Sequence, residues 1–424
     1  MPLLIRGARQ IGKSSTVRNL GKQFKYFIEI NFEREQDKKA KELFARGGLS
    51  VQQLSDQLAQ IYNIPIIPGE TLLFFDEIQA SLPAISSLRY FYEEYSELHV
   101  VAAGSLLEFA LEELPSFGVG RIMPIFMYPM SFFEFLGACD RHDLLTQAIN
   151  DASCQKPLSK AVHETIIKYF KYFLVLGGMP KVISKYVNTG SSFECQEVLS
   201  TLVTTLRSDF AKYKAKVPTT RISAVFDSVI TQMGNKFVFS NVSQDYTHRQ
   251  LKEALELLIM AGLVIPVTHT AANKIPLGAE VNPKKQKMLL LDTGIFQRLL
   301  GLPMSDLMIN DDFSVVNKGC IAELFVGLEL LKSSLPYEQT ALYYWHRESK
   351  GSNAEIDYVV QAGQSIIPIE VKSGTKGAMQ SMRIFLQEKN ALYGIRTSLE
   401  NYGEIPGIKI IPVYGVGAEA FLGG

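Results

Sequence analysis

The feature that most constrains this chain is a glycine-rich loop between an apolar run and a helical stretch near its amino terminus. Residues 3–5 are Leu-Leu-Ile, residues 7–14 have the form G-x-x-x-x-G-K-S, and residues 15–23 have a helical pattern. In a strand–loop–helix unit of this form, glycines let the backbone N–H groups surround a phosphate chain. The sequence therefore predicts an α/β fold with a parallel sheet and a binding site for a nucleoside triphosphate.

The positions of this loop have distinct predicted roles. We expect Lys13 to reach the β- and γ-phosphates and the Ser14 hydroxyl to hold Mg²⁺. The amino-terminal end of the following helix favours the negative charge of the phosphates. The alternative is a glycine-rich turn with a chance lysine. The predicted nucleotide-binding residues are Gly7, Ala8, Arg9, Gln10, Ile11, Gly12, Lys13, Ser14 and Ser15.

The second chemical signal is an apolar strand that ends in two carboxylates. Residues 72–75 are apolar, and Asp76 and Glu77 follow directly. Ligands of open α/β sheets bind at the carboxyl ends of the strands. Asp76 is therefore predicted to hold Mg²⁺ through water, and Glu77 to orient the attacking water or accept its proton. The alternative is a helix cap, but together with the upstream loop the pair favours ATP hydrolysis over passive binding.

Two further polar residues lie at predicted strand boundaries. Ser105 follows a strand at residues 100–104 and is expected to hydrogen-bond the attacking water or the γ-phosphate. It is equally suited to cap the next helix. Arg121 precedes the last strand of this region and is expected to stabilise transition-state charge, in its own subunit or in a neighbouring one. The alternative is a surface arginine that anchors a loop.

Composition narrows the class of protein. The 424-residue chain has 43 Lys+Arg and 43 Asp+Glu, so no overall basic field attracts nucleic acid, and such a contact would be local. The four cysteines are scattered without a C-x-x-C pair, which argues against zinc and disulfides and fits a reducing compartment. Apolar runs are too short to span a bilayer, and the start is unlike a signal peptide. We therefore expect a cytoplasmic protein without membrane contact.

Length and pattern predict four blocks, because 424 residues exceed what one hydrophobic core usually organises. The first, residues 1–140, alternates strand-like and helix-like runs. The second, residues 141–218, is helix-rich and is broken at residues 177–180. The third, residues 219–295, has two helices followed by a β-pair. The fourth, residues 296–424, returns to mixed α and β character.

The fourth block carries its own charged pattern. Two apolar strands around a turn at residues 361–364 predict a β-hairpin. Because side chains alternate, Glu370 and Lys372 share one face of the second strand, and Asp357 on the neighbouring strand can face them. This D…E-x-K pattern matches the restriction-endonuclease-like signature, in which two carboxylates hold Mg²⁺ and the lysine steadies water or the scissile phosphate. Glu323 matches the additional upstream acid of that fold. The alternative is a polar strand with solvated charges.

The third block contains a candidate nucleic-acid reader. Residues 247–258 form an amphipathic helix with a threonine cap, and a β-pair follows, an order that matches a winged helix. Basic side chains in and before this helix would contact DNA, or they belong to the solvated face of a module that packs against protein. These residues are His248, Arg249, Lys252, Arg207, Lys212, Lys214, Lys216 and Arg221.

Together these motifs resemble a prokaryotic family of AAA-type ATP-binding proteins. The segments that carry the likeness are residues 7–14, 76–79, 104–105, 120–121, 128–135, 177–180 and 292–294. The resemblance implies an AAA-type ATPase domain, a helical segment, a winged helix and a restriction-endonuclease-like C-terminal domain of unknown function. That family usually has a helix before the phosphate loop, whereas this sequence starts at the strand.

Two functional interpretations stay open at this point. In the first, ATP turnover with Mg²⁺ drives work on DNA, which the winged helix and the last domain bind or cut. In the second, the ATPase is a slow nucleotide switch, and the last domain is a catalytically silent module that binds a protein partner. A homo-oligomer is compatible with both, because Arg121 can act on a neighbouring subunit.

Overall fold

The computed structural model describes residues 1–113, 120–139, 145–213, 217–304, 318–347, 354–372 and 379–418. The chain divides into two units. Unit 1 comprises Met1–Tyr128, Met260–Gly262 and Leu335–Gln339, and unit 2 comprises Pro129–Ile259, Leu263–Ser334 and Thr340–Gly424. No helix in the described part of the chain has the length and apolar character needed to cross a membrane.

Unit 1 is built around a parallel β-sheet whose strands alternate with helices along the chain. Its strands are β1 Leu3–Arg6, β2 Tyr26–Asn31, β3 Thr71–Asp76, β4 His99–Ala103 and β5 Met123–Phe126. Its helices are α1 Lys13–Gly21, α2 Lys38–Arg46, α3 Val51–Tyr62, α4 Leu82–Glu94 and α5 Leu107–Glu112. The described strands lie in the order β2-β3-β4-β1-β5, and all neighbours are parallel. The predicted parallel α/β sheet of the first block is thereby confirmed.

Both faces of this sheet are covered, which explains why its strands are apolar runs rather than alternating patterns. Every residue of β3 is buried, and alternate residues of this strand belong to two hydrophobic clusters. Phe75 packs edge-on against Phe32, Phe44 and Phe91, with ring centroids 5.4 to 5.9 Å apart. The buried strand therefore fixes the position of the polar residues that follow at its carboxyl end.

Unit 2 contains a mixed sheet and most of the remaining helices. Its strands are β6 Val264–Thr270, β7 Val281–Leu290, β8 Leu342–His346, β9 Glu355–Ala362, β10 Ser365–Val371, β11 Gly394–Ser398, β12 Gly403–Ile405 and β13 Ile408–Pro412. Its helices are α6 Phe132–Ala138, α7 Gln147–Asn150, α8 Lys160–Leu176, α9 Pro180–Thr189, α10 Ser192–Asp209, α11 Thr219–Thr231, α12 His248–Met260, α13 Thr293–Leu299, α14 Lys318–Lys332 and α15 Gln380–Lys389. The last residue of α12, Met260, belongs to unit 1. The described strands lie in the order β12-β13-β11-β10-β9-β8-β6-β7. The predicted hairpin in the fourth block is confirmed, because β9 and β10 pair antiparallel with Ala362 opposite Ser365.

The sheet of unit 2 contains strands from both the third and the fourth predicted blocks. β6 and β7 pair antiparallel as a wing would, but β6 also pairs in parallel with β8 of the fourth block. Strands on both sides of residue 295 therefore belong to one sheet, because the backbone groups on the second edge of β6 hydrogen-bond with β8. In the division of the chain into units, unit 1 runs to Tyr128 and α6 belongs to unit 2, whereas the predicted first block extends to residue 140.

Three of the downstream motifs that carry the family likeness meet at one closely packed point of unit 2. The Gly178 N–H donates to Asp292 Oδ2 at 2.5 Å, and the Gly178 carbonyl accepts from the Met130 N–H at 2.8 Å. A Cβ atom at Gly178 would lie 2.2 Å from the Met130 oxygen, and one at Gly294 would lie 2.4 Å from the Leu176 oxygen. The buried Asp292 side chain also caps α13. These motifs therefore contribute close backbone packing.

Candidate nucleotide site and a second charged cluster

The loop between β1 and α1 has the backbone conformation that its glycines allow. Gly7 has φ +136° and Gly12 has φ +99°, both in the region that disfavours side chains. A Cβ atom at Gly7 would lie 2.2 Å from the Met127 oxygen. Gln10 also has a positive φ of 64°. The predicted phosphate-binding loop therefore turns as its sequence pattern requires.

Lys13 lies inside this loop. Its Nζ donates to the carbonyl oxygens of Gly7 at 2.8 Å and Ala8 at 2.6 Å, and the residue is 8% exposed. Burial lowers the pKa of Lys13 to about 8, and the nearby Arg9 adds to this, while Glu77 and Asp76 act in the opposite direction. An ammonium group that donates to neutral carbonyls in a desolvated loop is stabilised most by an anionic ligand.

Ser14 and Asp76 meet at the start of α1 and form a pair of oxygen donors. Ser14 Oγ donates to Asp76 Oδ1 at 2.8 Å, and Asn31 Nδ2 donates to Asp76 Oδ2 at 3.1 Å. Burial raises the pKa of Asp76, while the bond from Ser14 opposes it. A hydroxyl and a carboxylate oxygen fit Mg²⁺, which takes most of its remaining ligands from water and substrate phosphates. In the described residues, no group of three or more His, Cys, Asp or Glu side chains forms a metal site.

Glu77 is held beside this pair in an unusual backbone conformation. Its φ is +50°, and its Oε2 accepts hydrogen bonds from Gln79 Nε2 at 2.7 Å and from Ser105 Oγ at 3.1 Å. A Cβ atom at Gly104 would lie 2.3 Å from Gln79 Oε1, so glycine at this position admits the Gln79 side chain. The strand ends of β3 and β4 thus hold one carboxylate in a fixed position.

The two candidate arginines of unit 1 have different surroundings. Arg9 Nε donates to Ser105 Oγ at 3.0 Å, so this loop residue joins the group around Glu77. Arg121 forms an ion pair with Glu93, and 48% of its side chain is exposed. The structure therefore brings together Arg9, Ser105 and Glu77, whereas the described ion pair of Arg121 involves a surface carboxylate on α4.

Sequence reasoning missed Asn31 and Gln79. Asn31 ends β2 in register with Asp76 at the end of β3, and its Oδ1 also accepts the backbone N–H groups of Glu33 and Arg34. A polar residue at the end of an apolar strand was the available signal. Gln79 belongs to the segment quoted for the family likeness, but its bond to Glu77 depends on the local 3₁₀ turn at Ile78–Ala80.

A second charged cluster in unit 2 surrounds Lys287, a residue of β7. Lys287 is 2% exposed, and its Nζ lies 2.8 Å from Glu323 Oε1, 2.5 Å from Glu355 Oε1 and 3.8 Å from Asp357 Oδ1. Burial alone would lower the pKa of Lys287, but the three carboxylates outweigh it and raise the pKa. Burial raises the pKa of Glu323 to about 7, against the effect of Lys287. The sequence pattern predicted neither Lys287 nor Glu355.

The other predicted residues of this block lie at the end of the hairpin. Lys372 Nζ contacts Glu370 Oε1 at 2.6 Å, and Asp357 Oδ2 accepts the Val371 N–H at 2.8 Å. Glu370 is buried, and among the described residues its Oε2 has no hydrogen-bond partner. Burial raises the pKa of Asp357, with Lys287 opposing and Glu370 contributing. The predicted residues are thus neighbours, but Lys287 lies between Glu323 and Asp357.

The basic residues of the predicted DNA reader form ion pairs with nearby carboxylates within unit 2. On α12, Arg249 pairs with Glu253 at 3.3 Å and Lys252 with Glu256 at 3.5 Å. The remaining described pairs are Arg207–Asp227, Lys212–Asp209 and Arg221–Glu253. His248 packs against Phe239, with centroids 4.5 Å apart. Lys214 and Lys216 lie outside the described residues.

Comparison with protein families gives three separate matches along the chain. Residues 1–136 match the family described as an AAA domain. Residues 167–306 and 318–415 match two domains of unknown function, DUF8612 and DUF4143. No protein of curated function matches the chain significantly. The first match supports an AAA-type P-loop domain, of the kind that binds nucleotide, usually with Mg²⁺, and the other two name no activity.

Proposed function

We propose that unit 1 binds ATP with Mg²⁺ and hydrolyses it. The observation that carries this proposal is the meeting of the loop with the ends of β3 and β4. There Lys13 provides a buried cation, Ser14 and Asp76 provide oxygen donors, and Glu77 provides a carboxylate held by two hydrogen bonds. A phosphate chain, its metal and an attacking water need these groups at one edge of a sheet.

Each side chain has a role that its contacts support. Lys13 exchanges its two loop carbonyls for phosphate oxygens. Ser14, and Asp76 through water, would hold Mg²⁺, which would stabilise the charge of the phosphates electrostatically when bound. Glu77 accepts the proton of the attacking water, while Ser105 orients the Glu77 carboxylate. Gln79 supports the same carboxylate from the other side.

Arg121 keeps its predicted role in stabilising transition-state charge as part of this proposal. Half of its side chain is exposed, which suits an action on the nucleotide of a neighbouring subunit in a homo-oligomer. Dependence of kcat on protein concentration, lost in Arg121→Ala, tests this role.

The binding half of the proposal is tested by Lys13→Ala. Without the loop ammonium, ATP affinity should fall by a factor on the order of 10 or more, because a charged hydrogen bond to phosphate is lost. Titration with a fluorescent ATP analogue measures this. Lys22→Ala, which removes an exposed lysine just after α1, is the control and should bind as the wild type does. Equal affinity in a folded Lys13→Ala protein would refute the assigned site.

The hydrolytic half is tested by Glu77→Gln. This change keeps size and hydrogen bonding but removes basicity, so ATP should still bind while turnover falls by a factor on the order of 10² or more. Release of inorganic phosphate measures turnover. Glu97→Gln removes an exposed carboxylate of the same unit and should leave turnover unchanged. Wild-type turnover in Glu77→Gln would move the base elsewhere.

For the last domain, we propose the second of the two interpretations, a catalytically silent module that binds a protein partner. The observation that favours it is Lys287, whose ammonium lies between the carboxylates of Glu323, Glu355 and Asp357. A divalent cation held by Glu323 and Asp357 would meet this buried positive charge at close range. The Lys287 ammonium therefore disfavours a divalent cation between Glu323 and Asp357.

Metal and DNA assays on the whole chain test this second proposal. Plasmid DNA should stay intact with Mg²⁺ or Mn²⁺, and Mn²⁺ should leave the unfolding midpoint of unit 2 unchanged. In Lys287→Met, Mn²⁺ should raise that midpoint, because the carboxylates lose their resident cation. Metal-dependent cleavage by the wild type that disappears in Asp357→Asn would refute the silent module and support the nuclease-like alternative.

A further inference from the structure

Arg9, the third residue of the phosphate-binding loop, is joined to the proposed catalytic base through one hydroxyl. Arg9 Nε donates to Ser105 Oγ at 3.0 Å, and Ser105 Oγ donates its own proton to Glu77 Oε2 at 3.1 Å. The directions of the two bonds agree, because a hydroxyl accepts and donates at once. A buried serine at the end of β4 thus connects a loop cation with the carboxylate at the end of β3.

The charge of Arg9 acts on the same site. Arg9 lies close enough to Lys13 to contribute to lowering its pKa, so two cations share the loop. The two cations repel each other without a ligand, and an anion that binds between them stabilises both. A triphosphate carries its highest charge at the γ-phosphoryl group, and this group must lie next to the base if water is to attack it.

We propose that Arg9 is a catalytic residue, whose guanidinium contacts the γ-phosphoryl oxygens and stabilises the charge that develops there during hydrolysis. This inference rests on the proposed ATPase function. The water oxygen forms a bond to the γ-phosphorus, its proton moves to Glu77, and the bond from the γ-phosphorus to the bridging oxygen breaks, which releases ADP. Arg9 stays protonated throughout, and Ser105 keeps the guanidinium and Glu77 in a fixed relation.

Arginine suits this position better than lysine. The guanidinium is planar and always charged, and it can donate from Nε to a protein hydroxyl while its terminal groups face phosphate oxygens. A lysine ammonium is a single point donor on a flexible stem, so it cannot hold Ser105 and the phosphate in the same rigid geometry. The position of Arg9 in the loop also supplies the cation within its own subunit.

The experiment compares Arg9→Gln and Arg9→Lys in the full-length protein. Arg9→Gln should lower kcat by a factor on the order of 10² or more, the scale of losing a transition-state arginine. Its affinity for ADP should stay within about twofold of the wild type, because ADP has no γ-phosphate. Arg9→Lys should recover less than a tenth of the lost activity. Arg46→Gln, an exposed arginine at the end of α2, is the matched control and should turn over normally.

Two further measurements separate chemistry from a structural role. Guanidinium at millimolar concentration should partly restore turnover to Arg9→Ala but not to Glu77→Gln, since it replaces only the missing donor group. If the wild type proves unable to hydrolyse ATP, the proposed function fails, and Arg9 is then tested by the ratio of ATP to ADP affinity. In Arg9→Gln, an unchanged ratio of ATP to ADP affinity together with an unchanged kcat would overturn the inference. A loss of ADP binding that parallels the loss of ATP binding would also overturn it, and either result would leave Arg121 as the candidate.

Discussion

Replacing Gly178 by alanine should destabilise unit 2, because the added methyl group has no room. Its carbon would lie 2.2 Å from the Met130 oxygen and 3.0 Å from the Met130 nitrogen. Ordinary contact begins at 3.4 Å, so the two segments would have to separate by roughly 1 Å. That movement weakens the hydrogen bond between Met130 and Gly178 and the one between Gly178 and Asp292.

The expected cost follows from these contacts. Overpacking of this kind costs about 1–3 kcal/mol, and each weakened hydrogen bond adds about 1 kcal/mol. The lower entropy of the unfolded alanine chain offsets about 0.4–1 kcal/mol. The free energy of unfolding of unit 2 should therefore fall by roughly 2–4 kcal/mol.

Tryptophan fluorescence during urea unfolding reports on unit 2 directly. The chain has one tryptophan, Trp345, which is buried in that unit and packs edge-on against Phe385. With a denaturant slope of about 3 kcal/mol per M, the Gly178→Ala midpoint should fall by about 1 M. Gly319→Ala is the matched control, because nothing lies within 4 Å of the added carbon and the residue is in α14. It should raise stability by about 0.5–1 kcal/mol. Equal midpoints for the two variants would refute the packing argument.

Three other predictions address pH, catalysis and charge. Burial lowers the pKa of His163, whose Nδ1 accepts from Tyr414 Oη, so the unfolded chain binds more protons below pH 6.5. Stability of unit 2 should therefore fall as pH drops through that range, with a smaller slope in His163→Phe. Asn31→Ala should lower kcat/KM about tenfold in Mg²⁺ titrations, since it removes the bond to Asp76. Lys287→Met in metal-free buffer should cost unit 2 about 3–5 kcal/mol in urea unfolding, because its carboxylates lose their cation.

The fold of unit 1 was largely predictable because its signals are local. Each strand is an apolar run followed within a few residues by a polar side chain, and the loop at residues 7–14 has a fixed spacing. Burial on both faces of a parallel sheet produces such runs directly. The predicted positions of Asp76 and Glu77 at a strand end followed from the same argument.

The parts that sequence reasoning missed depend on contacts between distant segments. Lys287 follows two other lysines in the run Lys284-Lys285-Gln286-Lys287, which resembles an exposed wing. Its burial comes from β9 and α14, which lie far along the chain, and no local pattern reports those neighbours. The pairing of β6 with β8 was missed for the same reason. The alternation of polar and apolar side chains along a strand does not indicate which strand pairs with its second edge.

The two buried lysines of this chain show how the partners of a charge, more than its burial, determine what it can do. Lys13 donates to neutral carbonyl oxygens, and burial lowers its pKa to about 8 because the nearby carboxylates of Glu77 and Asp76 offset only part of that effect. Lys287 is held by three carboxylates, and its pKa rises. An anionic ligand therefore stabilises the first site, whereas the charge of the second lysine is already balanced within the protein. This contrast is the physical basis for the proposed nucleotide chemistry at Lys13 and the proposed structural role of Lys287.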